Sequence, residues 1–417
     1  MHDHDPSGTA TRRAALRLLI SVLWQGKPLE AALANAFSDL VRPDDRALAR
    51  TITGGVLRWL PDLDDLINGA TARPLPDDAR ARMVLRLALA QAILLDTPHH
   101  AVVATALPLV DSGPRRLVHG VLSRLLREGA ALPDSPTLPE AFARRWHTAW
   151  GDDALAGLSC ALAQEPPTDL ALRDPAGTAA LAAALEGSSL APGHVRTARK
   201  GALTDWPGFA EGDWWVQDFA AGLPARLLGD VRGRRIADLC AAPGGKTMQL
   251  AAAGADVVAV DIAEKRLARV RENLTRTRLT AEIVAADARE WAPRRPVDDI
   301  LLDAPCSATG IFRRHPDVLH LKSGGALSPL LKLQSELIDS ALGLLPVHGR
   351  LIYCVCSLEP EEGEGQIEAL LARYDNIRID PVSADELPSG VMPAPEGWVR
   401  TIPGDLDGFF IARLVRA

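Results

Sequence analysis

No uninterrupted apolar run in these 417 residues reaches the roughly 18 needed for a membrane-spanning helix. The N-terminal stretch MHDHDPSGTATRRAA lacks the apolar core of a signal peptide, so a cytoplasmic location is the expectation. Cysteine is scarce: Cys160, Cys240, Cys306, Cys354 and Cys356 make five. An odd count without framework spacing argues against a disulfide scaffold and fits a reducing compartment. There is no CxxC pair, so no metal site is expected. Positive charge is not in excess either, the formal net charge being −7. That weighs mildly against a nucleic-acid partner, although phosphate binding needs only a local basic face. Internal repeats and the dinucleotide pattern GxGxxG are also missing.

The length suffices for two or three domains, each with its own core. Hydrophobic residues at 47% and charged residues at 24% are ordinary for a globular protein. Residues 1–130 read as helix throughout. In Arg12–Leu23, Ala15, Leu16, Leu19, Ile20 and Leu23 follow the spacing of one helical face. Similar patterns recur over Arg46–Leu60, Ala79–Leu95, Ala101–Val110 and Arg115–Leu126, with Pro, Gly and Asp clusters between them. A linker follows at Gly129–Pro139. Residues 140–218 suggest a small α/β connecting subdomain with short strands at Asp169–Leu172 and Trp214–Gln217. From 219 to 417 strands and helices alternate: strand Ile236–Leu239, helix Lys246–Ala253, strand Asp256–Val260, helix Lys265–Arg278, then strands Glu282–Ala285 and Asp299–Leu302. Helix Leu330–Leu345 and strands Arg350–Cys354 and Phe409–Leu414 complete the series. Repeated βα units of this kind predict an α/β fold with a mainly parallel, doubly wound sheet.

The first strand runs into Cys240-Ala241-Ala242-Pro243-Gly244-Gly245-Lys246-Thr247. Small residues let the backbone approach a ligand, and the helix that follows offers unpaired amides. Gly245-Lys246-Thr247 resembles the end of a phosphate loop, but that motif needs glycine where Cys240 stands. Asp261, ending the second strand, is placed to accept hydrogen bonds from a ribose diol, or to cap the next helix. Asp287, just past the third strand, is similarly placed for an adenine amino group.

Asp303-Ala304-Pro305-Cys306-Ser307 ends the fourth strand and Tyr353-Cys354-Val355-Cys356-Ser357 the fifth. Both loops fall at the carboxyl edge of the sheet, facing the expected cofactor. Cys354 and Cys356, two apart, share one strand face. A thiol in such a loop can ionise and act as a nucleophile, whereas a core cysteine is inert. Amino-methylating enzymes commonly carry an Asn- or Asp-Pro-Pro-aromatic loop here. Cysteine in place of the aromatic residue shifts the expected acceptor from nitrogen to a ring carbon. Carbon 5 of cytosine attacks a sulfonium methyl only after a thiolate has added to carbon 6. A carboxylic acid near N3 offsets the charge that develops on the ring. The residues leave the choice of nucleophile between Cys306 and Cys356 open.

These stretches resemble the Sun-type (Fmu) RNA cytosine methyltransferases. The resemblance rests on Ala237–Thr247 (ADLCAAPGGKT), Asp261–Arg269 (DIAEKRLAR), Leu301–Asp317 (LLDAPCSATGIFRRHPD), Leu333–Asp339 (LQSELID), Leu351–Glu362 (LIYCVCSLEPEE) and Asp407–Leu414 (DGFFIARL). It implies a Rossmann-like methyltransferase domain that uses S-adenosylmethionine, bound by Cys240–Lys246, Asp261, Arg266, Asp287 and Asp303. It further implies Cys356 as nucleophile, Cys306 as the thiol that helps release product, and Asp303 as the acid facing cytosine. Val355 stands where the family usually has threonine. The N-terminal helices resemble the NusB-type RNA-binding domain, with Arg12-Arg13 opening the first helix and Arg115-Arg116 near the last. Arg313-Arg314-His315, just beyond the Pro-Cys loop, are expected to contact phosphates of the substrate strand, and the target base to leave its stack. Together these imply a monomeric bacterial enzyme acting on small-subunit ribosomal RNA. An RNA-binding factor with an inactive methyltransferase fold, and a methyltransferase of DNA, small molecules or another RNA, are the alternatives.

Overall fold

A computed structural model describes residues 6–321 and 327–417. Met1–Asp5, the start of the stretch read for a leader, lie outside them. The chain forms two compact units: Met1–Glu165 with Phe312–Gly325, and Pro166–Ile311 with Ala326–Ala417. No described helix is long and apolar enough to cross a membrane.

The first unit is helical, with α1 Thr9–Leu23, α2 Leu29–Ala36, α3 Pro43–Arg58, α4 Leu60–Gly69, α5 Arg80–Leu94, α6 His99–Ala106, α7 Arg115–Arg127 and α8 Glu140–Ala163. Ala14, Ala15, Leu18, Leu19 and Val22 turn the buried face of α1 inward, as period-3.6 spacing requires. α5 is buried from Ala81 to Gln91, the mark of a helix surrounded by its neighbours. Its Arg86 and Arg82 both reach Asp64, at 2.6 and 3.1 Å, so those buried cations are paired. α2 and α4 have no counterpart in the sequence pattern, because each is short and begins within a turn-rich stretch.

α8 groups with this unit rather than with a connecting subdomain. Its aromatic residues explain that: Trp146 is fully buried and stacks on Phe312 at 5.8 Å. The segment after Ile311 is anchored in the same unit. Arg58 donates to the carbonyls of Leu162 (2.9 Å) and Arg313 (2.6 Å), and the Leu29 amide donates to Asp317 (2.8 Å). His320 Nε2 lies 2.7 Å from the Leu57 carbonyl. Burial holds the imidazole down to about 4, so it is neutral and its N–H donates.

The second unit opens with β1 Thr168–Leu172, α9 Thr178–Ala184, β2 His194–Thr197 and β3 Trp214–Val216, whose antiparallel sheet runs β2-β1-β3. Then follow α10 Phe219–Arg226, β4 Arg235–Leu239, α11 Gly245–Ala252, β5 Asp256–Asp261, α12 Glu264–Thr277, β6 Glu282–Ala285 and β7 Asp299–Asp303. α13 Leu327–Leu344, β8 Arg350–Val355, α14 Glu364–Leu371, β9 Ile377–Ile379, β10 Val399–Thr401 and β11 Phe409–Arg416 complete it. The large sheet runs β10-β11-β8-β7-β4-β5-β6. β8, β7, β4, β5 and β6 are parallel, and β11 joins β8 antiparallel.

Central strands buried on both faces need near-continuous apolar sequence, and Ile236–Leu239, Val257–Val260 and Ile300–Leu302 supply it. α12 covers one face through Leu267, Val270 and Leu274. The chain order reverses between β4 and β7, the switch point at which such sheets bind ligands. The expected α/β fold and its strand assignments therefore hold.

Candidate active site

Every loop singled out for cofactor or catalysis leaves the carboxyl edge of this sheet, the Cys240 loop from β4 and the Asp303 loop from β7 flanking the switch point. Gly244 caps α11 with φ at +101°, and a Cβ there would press on Val270 at 3.1 Å. Left-handed backbone and a close neighbour together require glycine. Lys246, from the first turn of α11, bridges the switch point to Asp303 at 2.7 Å. Burial works against the ammonium, but Asp303 and the groups beside it raise the lysine above its ordinary value. Asp238, beneath this pair, is fully buried and accepts from Thr247. Burial pushes its carboxyl up to about 7.

Asp261 is nearly covered. One of its oxygens takes the Ala263 amide at 2.9 Å and the other the Ala242 amide at 3.2 Å. Asp261 is not the cap of α12: that position is Ala263, which has no side-chain cap, and Asp261 ties the turn before the helix instead. Arg266 lies across it at 3.5 Å and also donates to the Ala242 carbonyl. Asp287 is gripped in the same manner by Arg289, whose guanidinium approaches both oxygens and whose amide donates at 3.0 Å. That contact, largest among the causes, holds the Asp287 carboxyl below its usual range. S-adenosylmethionine presents hydrogen-bond donors at its ribose, adenine amino and ammonium groups. Carboxylates at Asp261, Asp287 and Asp303 are the acceptors such a ligand needs, and half-exposed Arg266 can swing clear.

The Sγ atoms of Cys306 and Cys356 lie 3.5 Å apart, and both cysteines are free. The hydrogen bond with Cys356, followed by burial, raises the Cys306 thiol well above its ordinary value. Cys354 is fully buried, its sulfur 3.6 Å from Asp303, and burial raises it strongly. Cys240 is pushed up to about 12 by burial and the neighbouring carboxylates. Both fit inert packing thiols.

Glu362 underlies the two cysteine loops. Its carboxylate accepts from Ser307, Ser357 and Gln334. Neither Glu362 nor Gln334 stood out from the sequence. The available signal was an acidic run that begins two residues past Ser357 and ends at Glu362.

The remaining basic residues disperse. Arg115 and Arg116 are exposed on α7. Arg12 is half-buried and donates to Gln91 at 2.7 Å, and Arg13 is likewise part-covered. Arg313 is only 3% exposed, which removes it from direct phosphate contact in this conformation. Arg314 and His315 are partly covered, and burial lowers the His315 imidazole. Among the described residues no cluster has the ligands for a metal ion.

Residues 225–415 match the 16S rRNA methyltransferase RsmB/F family, and residues 9–127 match the NusB family. Ribosomal RNA small subunit methyltransferase B of Klebsiella pneumoniae is 35% identical over 97% of this chain and 98% of its own length. Its namesake from Serratia proteamaculans is 36% identical over 95% and 96%. The chain belongs to the RsmB/F family. It is an RNA methyltransferase, with S-adenosylmethionine as the methyl donor of its family. The crystal structure of PH0851 superposes with a TM-score of 0.77 at 24% identity, covering 98% of this chain and 99% of that one. A methyltransferase homologue from Pyrococcus horikoshii gives 0.54 at 26% identity, over 71% and 98%.

Proposed function

We propose that this RsmB/F member methylates carbon 5 of a cytosine in 16S ribosomal RNA through a transient bond between Cys356 and carbon 6. The observation that carries this reading is the 3.5 Å approach of Cys306 and Cys356 beside a carboxylate, Asp303, at the switch point. Nitrogen methylation needs no thiol, and a single-thiol mechanism leaves the second one idle.

S-adenosylmethionine, when bound, supplies an electrophilic methyl group. The thiolate of Cys356 adds to carbon 6, and the electron pair displaced onto the ring makes carbon 5 the nucleophile. Asp303, backed by the Lys246 ammonium, faces the N3–N4 edge, where charge develops. After methylation the carbon-5 proton must leave and the Cys356 sulfur be expelled. Cys306 is held protonated while Cys356 is its hydrogen-bond partner. Once the Cys356 sulfur is bonded to carbon, that restraint is lifted: Cys306 gives its own proton to solvent, and its thiolate takes the carbon-5 proton while the C–H electron pair re-forms the ring double bond and expels the Cys356 thiolate. The exposed arginines of α7 serve as phosphate contacts of the NusB-like region.

Bisulfite sequencing of 16S RNA with and without the gene tests the whole reading. One cytosine should lose protection when the gene is absent. An unchanged pattern, or methyl label on another base of undermethylated RNA in vitro, overturns it.

A further inference from the structure

The two thiols sit on segments 50 positions apart. We propose that Glu362 is the positioning residue of this site, its carboxylate clamping the Cys306 loop to the Cys356 loop so that the release thiol stays within reach of the nucleophile. The proposal rests on the two-thiol reading given above.

Glu362 is fully buried, a costly place for a carboxylate unless several donors satisfy it. Its donors are the neighbours of the cysteines. Ser307 gives its amide at 3.0 Å and its hydroxyl at 2.5 Å, and Ser357 gives its hydroxyl at 2.5 Å. The two hydroxyls meet on one oxygen, 3.0 Å from each other. Gln334 of α13 completes the set: its amide donates to Glu362 and to the Pro305 carbonyl, both at 2.9 Å. The residue after each cysteine and the residue before Cys306 are thus tied to one anion. Glu362 is itself fixed, because Tyr353 of β8 donates to its carbonyl at 2.6 Å.

The clamp has an electrostatic side as well. The ionisable groups facing Cys306 are Cys356, Glu362 and Tyr353, and the Glu362 charge helps keep Cys306 protonated until its step. Loss of that charge therefore alters the pH dependence of release, which a purely structural role leaves in place.

The test compares Glu362→Gln and Glu362→Asp with the parent and with Cys356→Ala. The readouts are S-adenosylmethionine binding by calorimetry, kcat, and covalent RNA adduct on denaturing gels across pH. Both Glu362 variants should bind the cofactor as the parent does, lose roughly 100-fold in kcat, as ångström-scale misplacement costs, and accumulate adduct. Glu362→Gln should also move the release limb to lower pH. Parental kcat, or an equal loss of kcat with no adduct and an unmoved pH limb, overturns the clamp. Should Glu362→Gln not fold, Ser307→Ala combined with Ser357→Ala removes the two hydroxyl ties and should show the same loss of kcat and the same adduct, with the release limb not moved to lower pH because the Glu362 charge stays. Methylation by Cys356→Ala overturns the two-thiol reading itself. Its inactivity, beside a fully active Glu362→Gln, overturns the clamp alone.

Discussion

Cys306 and Cys356 hold their sulfur atoms 3.5 Å apart without a disulfide, beyond the roughly 2.05 Å of an S–S bond but within reach of one proton. The hydrogen bond with Cys356 and burial raise the Cys306 thiol above its ordinary value, which is the asymmetry the proposed mechanism uses.

The first prediction separates those tasks. Cys356→Ala is expected to abolish turnover and give no trapped complex. Cys306→Ala should still form the bond to RNA and then stall, leaving an adduct that survives denaturing electrophoresis. The reverse pattern exchanges the roles.

A second prediction concerns the Lys246–Asp303 pair. Lys246→Met deprives the Asp303 carboxylate of its ammonium and should lower kcat/KM by on the order of 100-fold, the scale of losing one preorganised electrostatic contact. Asp303→Asn should do similar damage. Because each variant breaks the same 2.7 Å contact, the double variant should fall short of the product of the two losses, with a coupling of about 0.5–3 kcal/mol. Independent effects in the cycle mean that the ion pair is not the functional unit.

Much of this site is legible in the sequence because its chemistry is written in short runs. The stretch Ile236–Leu239 before Cys240 is apolar but for Asp238, the loop after it is small and glycine-bearing, and both thiol loops end strands. Periodicity also finds α1, α3, α5 and α7. Legibility fails where a role depends on packing between distant segments. Arg313-Arg314-His315 reads as a basic turn, yet Arg313 is buried and its carbonyl accepts from Arg58, 255 positions away. Glu362 reads as one more acid in a charged run, and only the return of α13 and β8 makes it the hub of two loops. Small-residue stretches hide α8, since alanine and glycine satisfy several patterns at once, and β2 is only four residues long.

Asp238 gives a prediction about pH. An acid whose value rises from 3.8 unfolded to about 7 in the fold stays protonated while the unfolded chain ionises. Stability is therefore lost as pH rises from about 4, and the loss levels off above about 7. The slope approaches 1.4 kcal/mol per pH unit, and the total is on the order of 4 kcal/mol. Asp238→Asn keeps an oxygen for Thr247 and cannot ionise. Its melting temperature should exceed the parent's at pH 8 and converge with it near pH 4. A constant offset between the two curves rejects this account.

The arginines divide by exposure. Arg115→Ala and Arg116→Ala should weaken RNA binding about equally for all sequences, and each should reduce the salt slope by roughly one, the value for one phosphate no longer neutralised. Arg313→Ala acts on the fold instead: the melting temperature should fall by several degrees, because a buried side chain is removed. Binding titrations over a salt series, set beside thermal melts, check both. An Arg313→Ala protein of parental stability with a shallower salt slope restores the phosphate role.

Val355, where the resemblance implies threonine, immediately precedes Cys356, the nucleophile of the proposed mechanism. Its side chain is fully buried in the core cluster that holds Tyr353 and Phe410, and its backbone is paired with Phe410 of β11. A hydroxyl at this position enters an apolar layer. Cys356, meanwhile, is held from the other side: the Gly310 amide donates to its carbonyl at 2.9 Å, and Ser357 is tied to Glu362. Its placement therefore does not run through residue 355. Val355→Thr should cost about 1–3 kcal/mol, the penalty for a buried hydroxyl that finds no good partner, and leave kcat within about twofold of the parent. Chemical denaturation and single-turnover methylation measure the two quantities separately. A several-fold rise in kcat after this substitution means that a threonine hydroxyl reaches Cys356, and that valine weakens the nucleophile.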